Sequence, residues 1–144
     1  MDQDNRHSVS VAGVILDKQG RALLVQRRDN GHWEAPGGVL EREEDILTGL
    51  RREVAEETGL EVEPEALTGV YKNMTRGIVA LVFRCRAIRG TLTKTDETKA
   101  FQWATAAEVS SISSEAFAIR ILDAMEHRGH PAIRQHDGVH LIAL

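Results

Sequence analysis

One stretch constrains this chain more than any other. Pro36-Gly37-Gly38 is followed by five residues and then Glu44; seven more lead to Arg52-Glu53-Val54-Ala55-Glu56-Glu57-Thr58-Gly59-Leu60. In a helix over residues 45–58, at about 100° per residue, Leu47, Leu50 and Val54 form one stripe. Glu53, Glu56 and Glu57 form another, about a quarter turn away. The apolar stripe is suited to pack on a sheet while the acidic one borders a cleft. Gly59 is a natural stop, because glycine accepts the left-handed conformation of a helix C-terminus.

The charges in that helix run against its stability. Glu43, Glu44 and Asp45 lie at the N-terminal end, where the helix dipole favours them. Glu56 and Glu57 occupy the last turn, where acidic charge costs about 0.3–1 kcal/mol each. Glu53 and Glu57 are also like charges one turn apart. A bound cation would reverse the sign of these costs. A solvated acidic face, with Arg52 and Glu56 as an ordinary surface pair, is the competing explanation.

The whole stretch matches G-x5-E-x7-R-E-U-x-E-E-x-G-U (U apolar), with Gly38, Glu44, Arg52, Glu53, Val54, Glu56, Glu57, Gly59 and Leu60 at the restricted positions. It resembles the signature of the Nudix hydrolase family. The signature covers residues 38–60, and the order of elements around it fits that family over roughly residues 8–127. The resemblance implies an α/β fold of the α/β/α sandwich type. A mixed sheet lies between helices, with the signature helix on one face and the C-terminal helix on the other. It implies hydrolysis of a nucleoside diphosphate linked to another group, with Mg2+ or Mn2+ as cofactor. Glu56 and Glu57 would be metal ligands, and Glu53 a ligand or the base that activates water. Arg52 and Glu44 would orient the acids, and the carbonyl near Gly37 would complete the coordination sphere. A compact substrate is expected: an ordinary or oxidised nucleoside triphosphate, cleaved to monophosphate and pyrophosphate. ADP-ribose, a nucleotide sugar or a dinucleoside polyphosphate is the alternative; a nucleotide-sensing module without turnover is the alternative outside the enzymes.

The chemistry fits the residue types. Magnesium prefers oxygen ligands and keeps several waters. It lowers the pKa of bound water and offsets phosphate charge, and a carboxylate within reach can take the proton. The side-chain-free Gly37 and Gly38 let backbone approach an ion closely.

At 144 residues the chain suits a single domain over residues 1–144, with 1–7 and 129–144 peripheral. A net charge of −4 weighs against a protein that coats polymeric nucleic acid. Cys85 is the only cysteine, so no intrachain disulfide and no thiol cluster can form. The start Met1-Asp2-Gln3-Asp4 lacks the regions of a signal peptide, and no apolar run approaches a membrane span. Cytoplasmic residence without membrane contact is expected. A homodimer is compatible with the resemblance, although the sequence shows no interface.

Residues 9–16 and 21–27 read as strands joined by the turn Asp17-Lys18-Gln19-Gly20, resembling a hairpin. Pro64 interrupts residues 62–70, so only 67–72 is expected to be a strand. Residues 77–88 alternate Val79, Leu81, Phe83, Cys85 and Ala87 against Ile78, Ala80 and Val82, the pattern of a strand covered on both faces. A short strand at 100–104 and an amphipathic helix at 114–127 follow. Residues 139–144 could form an edge strand, a partner contact or a frayed end.

Outside the signature, the resemblance implies a further acid in the loop before Phe101, where Glu97 is the candidate ligand, with Asp96 beside it. Arg27 and Arg28 are candidate phosphate-binding residues, since guanidinium pairs bidentately with phosphate oxygens. Gly38 and Trp33 complete the candidate substrate contacts; Trp33 could stack on a base, worth about 1–3 kcal/mol, or pack beneath the loop. Trp103 reads as core, the scattered histidines as surface or packing residues, and Tyr71, Lys72, Asn73 and Arg76 as a hairpin rim.

Overall fold

The computed structural model describes residues 4–143. Residues 1–3 and 144, on which parts of the expectations for both termini fall, lie outside them. Strands β1 (Ser8–Ile15), β4 (Gly37–Val39), β5 (Leu60–Asn73), β6 (Ile78–Gly90), β8 (Ala132–His136) and β9 (Leu141–Ile142) form one mixed sheet in the order β4-β1-β6-β5-β8-β9. β2 (Ala22–Arg27), β3 (Trp33–Glu34) and β7 (Thr98–Ala104) form a second sheet in the order β3-β2-β7. The helices are α1 (Ile46–Thr58), α2 (Ala106–Ile112) and α3 (Glu115–Met125).

The alternation in β6 decides how the layers stack. Cys85, Leu81 and Phe83 join Leu50 and Val54 of α1 with Val11 and Ile15 of β1. Ala80 and Val82 join Ala118, Ile121 and Ala124 of α3 with Ala12 and Val14. The two helices therefore cover opposite faces of the six-stranded sheet, as expected. Leu50 and Val54 are fully buried, which stabilises the α1 docking by roughly 1.5–3 kcal/mol per side chain. Cys85 is a small core residue, and burial pushes its thiol up to about 12.

Four local expectations need correction. β1 and β2 are not a hairpin: they touch through one isolated bridge, Leu16 with Ala22, and the chain passes from one sheet to the other. β5 runs through Pro64. It can do so because β8 pairs only with Gly69–Asn73, leaving the first half of β5 an edge, and because the register shifts between Pro64 and Ala66. α2 was not anticipated, although Thr105 and Glu108 form a capping box that signals it. β8 was also not anticipated; it pairs in parallel with β5 and carries β9 on its outer side. Among the described residues no helix is long and apolar enough to cross a membrane.

Candidate active site

α1 is held at both ends by its own sequence. The Asp45 side chain accepts from Thr48 N–H at 2.8 Å, closing the first turn. Gly59 caps the last turn at φ 81° and donates to Ala55 O. The helix is thereby fixed in rotation, with Leu50 and Val54 toward the sheet and Arg52, Glu53 and Glu57 toward β4.

β4 is an edge strand. Leu40 N–H donates to Val9 O, and Gly13 N–H to Pro36 O. Alternation along the strand turns the backbone groups of Gly37 and Val39 away from β1, toward α1. Gly37 N–H donates to Glu57 Oε1 at 2.9 Å, and Val39 O accepts from Arg52 Nη2 at 3.3 Å. The Gly37 carbonyl faces the same way. A Cβ on Gly38 would fall within the Glu53 carboxylate, so glycine is what lets that acid lie against the strand.

Arg52 gathers the acids that sequence reading grouped around it. It bonds both oxygens of Glu44, at 2.9 and 2.6 Å. Its Nη1 reaches Glu53 at 3.0 Å and Glu56 at 3.1 Å. The pairing holds the Glu44 carboxyl down at about 2, and the Glu41 N–H it accepts adds to this. Glu53 is the reverse: partial burial raises its pKa, only partly offset by Arg52, with Glu56 and Glu97 adding repulsion. Glu57 is pushed up to about 7, chiefly by burial, and by the charges of Glu53, Glu34 and Glu97, against the lowering effect of Gly37 N–H.

Sequence reasoning brought three carboxylates to one point, and the side chains stand differently. Glu56 turns back to Arg52 and is exposed, Glu53 is shared with Arg52, and Glu57 is engaged by backbone. Among the described residues no three His, Cys, Asp or Glu groups converge closely enough to enclose an ion. The donor set still fits a hard divalent cation. It is all oxygen, and Glu57 is desolvated among like charges, which a cation would relieve.

Glu57 opens onto a cleft of about 470 Å³ with Arg27, Arg28, Asp29, Asp96 and Glu97 on its walls. The sequence candidates Arg27, Arg28 and Glu97 therefore do meet Glu57. Arg28 ties down the opposite loop: its N–H donates to Glu97 O at 2.9 Å and its Nε to Thr95 O at 2.7 Å. Both Asp96 and Glu97 line the cleft, and the charge of Glu97 acts on both Glu53 and Glu57. Arg27 is partly spent on Asp29, at 2.9 and 2.7 Å, and on Glu34 at 3.3 Å. Neither acid was singled out from the sequence, and no pattern there marks Glu34. Trp33 packs against the α3-side core, and its carbonyl accepts from Ser113 Oγ at 2.8 Å.

A NUDIX domain family model matches residues 6–125 of the chain. A "MutT-like protein" of Streptomyces ambofaciens is 57% identical over 136 residues, covering 94% of this chain and 88% of the relative. An "ADP-ribose pyrophosphatase" of Methanocaldococcus jannaschii is 34% identical over 99 residues, 64% of this chain and 58% of the relative. In fold, the crystal structure of an ADP-ribose pyrophosphatase from Streptococcus suis aligns with a TM-score of 0.77 at 21% identity, covering 91% of this chain and all (100%) of that one. The chain belongs to the Nudix family of hydrolases.

Proposed function

We propose that the protein is a Mg2+- or Mn2+-dependent pyrophosphohydrolase that converts a nucleoside triphosphate, ordinary or oxidised, to the monophosphate and pyrophosphate. The observation that carries this reading is the half-buried Glu57, raised to about 7 beside Gly37, at the mouth of a cleft that also holds Arg27 and Arg28. Four acids, Asp29, Glu57, Asp96 and Glu97, share that cleft with two arginines, so an anionic substrate needs further positive charge there.

Glu53, Glu56, Glu57, Glu97 and the Gly37 carbonyl would hold the ion. Bound there, it would offset phosphate charge and acidify water. Glu53 takes the proton of the attacking water, a role that its partial burial favours by raising its basicity. Water adds to one phosphorus as the anhydride P–O bond breaks and the leaving phosphate carries off the electron pair. Arg52 and Glu44 act as positioning residues, since their bidentate pair fixes the Glu53 side chain against Gly38. Arg27, Arg28, Trp33 and the Gly38 backbone would contact the substrate. ADP-ribose is the second reading, favoured by the name of the Methanocaldococcus relative.

A Mg2+-dependent product screen over nucleoside triphosphates, ADP-ribose, nucleotide sugars and dinucleoside polyphosphates tests both. Pyrophosphate from a triphosphate is expected; turnover confined to ADP-ribose selects the second reading, and no turnover on any member ends both.

A further inference from the structure

The segment between β6 and β7 carries an acid toward other acids. It leaves the six-stranded sheet at Gly90, enters the three-stranded sheet at Thr98, and brings Glu97 to the wall of the cleft that Glu57 also lines. Glu97 is exposed, and like charges repel it from Glu53 and Glu57. A slack loop would let it swing out toward solvent.

Thr95 is what takes up the slack. All its polar groups are engaged. Its Oγ1 accepts from Glu97 N–H at 3.1 Å and from Thr98 N–H at 3.0 Å. Its own N–H donates to Thr98 O at 3.2 Å, and its carbonyl accepts from Arg28 Nε at 2.7 Å. A hydroxyl bonded two and three residues ahead closes a compact turn. Glu97 is therefore gripped on both sides of its Cα: Thr95 Oγ1 holds its N–H, and Arg28 N–H holds its carbonyl at 2.9 Å.

The turn is braced against the elements that carry the other acids. Thr93 N–H donates to Thr58 O at 2.9 Å, at the end of α1 just past Glu57, and Leu92 packs on the core that holds Leu50 and Val54. On the other side Thr98 is 2% exposed and pairs with Arg27. The register shifts there, with Ala100 opposite Gln26 and Thr98 opposite Arg27, a bulge at Lys99 that re-aims the strand end. Among the described residues Thr95 is not part of the cleft wall, so its hydroxyl acts on the cleft only through the turn.

We infer that Thr95 is a positioning residue: its hydroxyl fixes the main chain of Glu97 so that this carboxylate already stands across from Glu53 and Glu57 before an ion or substrate arrives. The inference rests on the hydrolase reading for what Glu97 does there. A residue ordered in advance does not lose its freedom at the moment of binding.

Thr95→Val removes the acceptor and keeps the shape; Thr95→Ser keeps the acceptor. In metal-free protein, amide exchange at Glu97 and Thr98 should quicken in T95V and stay as in the wild type in T95S. T95V should lower kcat by about 10- to 100-fold, the scale of an outer-shell loss, with KM little changed and T95S restoring turnover. In a Glu97→Gln background the same T95V change should cost no more than about twofold, because the two act as one unit. Unchanged exchange, a T95S as poor as T95V, or a full T95V loss in the Glu97→Gln background would overturn the inference. If the substrate screen finds no turnover, calorimetric titration with Mn2+ across the same four proteins (wild type, T95V, E97Q and the double variant) decides separately. Weaker Mn2+ binding in T95V that vanishes in the E97Q background supports the clamp without the hydrolase reading, and equal binding in wild type and T95V ends it. Thr95→Ala, which removes the same acceptor with a smaller side chain, replaces T95V should that variant not fold.

Discussion

Glu44 and Glu57 are the same kind of residue at the two ends of α1, and the fold sends them to opposite ends of the carboxylate range. Glu44 is clamped by both arms of Arg52 and held at about 2. Glu57 is desolvated, faces Glu53, Glu34 and Glu97, has only Gly37 N–H in its favour and sits at about 7. The arginine of the signature is thus taken up by Glu44, Glu53 and Glu56, and the acid at the cleft is left short of positive charge. One carboxylate serves the architecture and the other is poised for a cation.

Glutamines at the acids test that division most severely. Glu57→Gln or Glu53→Gln should lower kcat/KM by about 10²- to 10⁴-fold, while Glu44→Gln should cost about 10- to 100-fold, the usual penalty for losing an outer-shell partner. Mg2+-dependent pyrophosphate release reads all three; equal losses would erase the distinction. Gly38→Ala comes next. Its methyl group would displace the Glu53 carboxylate from the strand, and a displacement of that size can cost on the order of 10²-fold in turnover. A variant with unchanged kcat would show that Glu53 does not act from that position.

pH separates the two acids with opposite signs. Glu57 has a raised folded pKa, so the folded state holds more protons than the unfolded chain between about 4.5 and about 7. In metal-free buffer its contribution to stability falls as pH rises through that window. Glu57→Gln should therefore raise the melting temperature near pH 8, and added Mg2+ should then stabilise the wild type more than the variant. Glu44 has a depressed pKa, so its contribution is present above about 4.5 and is lost as pH falls toward about 2. Glu44→Gln should lower the melting temperature at every pH above about 4.5 and flatten the acid limb of the curve, leaving the slope near pH 8 unchanged. Differential scanning calorimetry across pH checks both, and the shift in the acid limb is the smallest effect expected.

Much of the site was legible because it is local. The turn glycines, the helix span and its Gly59 stop follow from backbone conformation and capping within some two dozen residues, and α1 forms within one residue of its expected start. The alternation of β6 was legible for the same reason, since side-chain direction in a strand is a matter of parity. Pairing was not. Whether Pro64 breaks β5 depends on which side of it is paired, and that is decided by β8, some seventy residues later. Residues 9–27 look like a hairpin until one asks which sheet each strand joins, and they join different ones.

By itself the sequence determined the signature helix, its acidic stripe, the two-faced central strand and the family to which they belong, because each is written in spacings shorter than the range over which a chain can turn back on itself. Tertiary structure alone decided which acids Arg52 gathers, that Arg28 holds the Glu97 loop across from Glu57, and that Arg120, partly buried, has an Nε without a hydrogen-bond partner among the described residues. Those outcomes depend on burial and on partners distant in sequence, and a charge acquires its pKa from what surrounds it rather than from what precedes it.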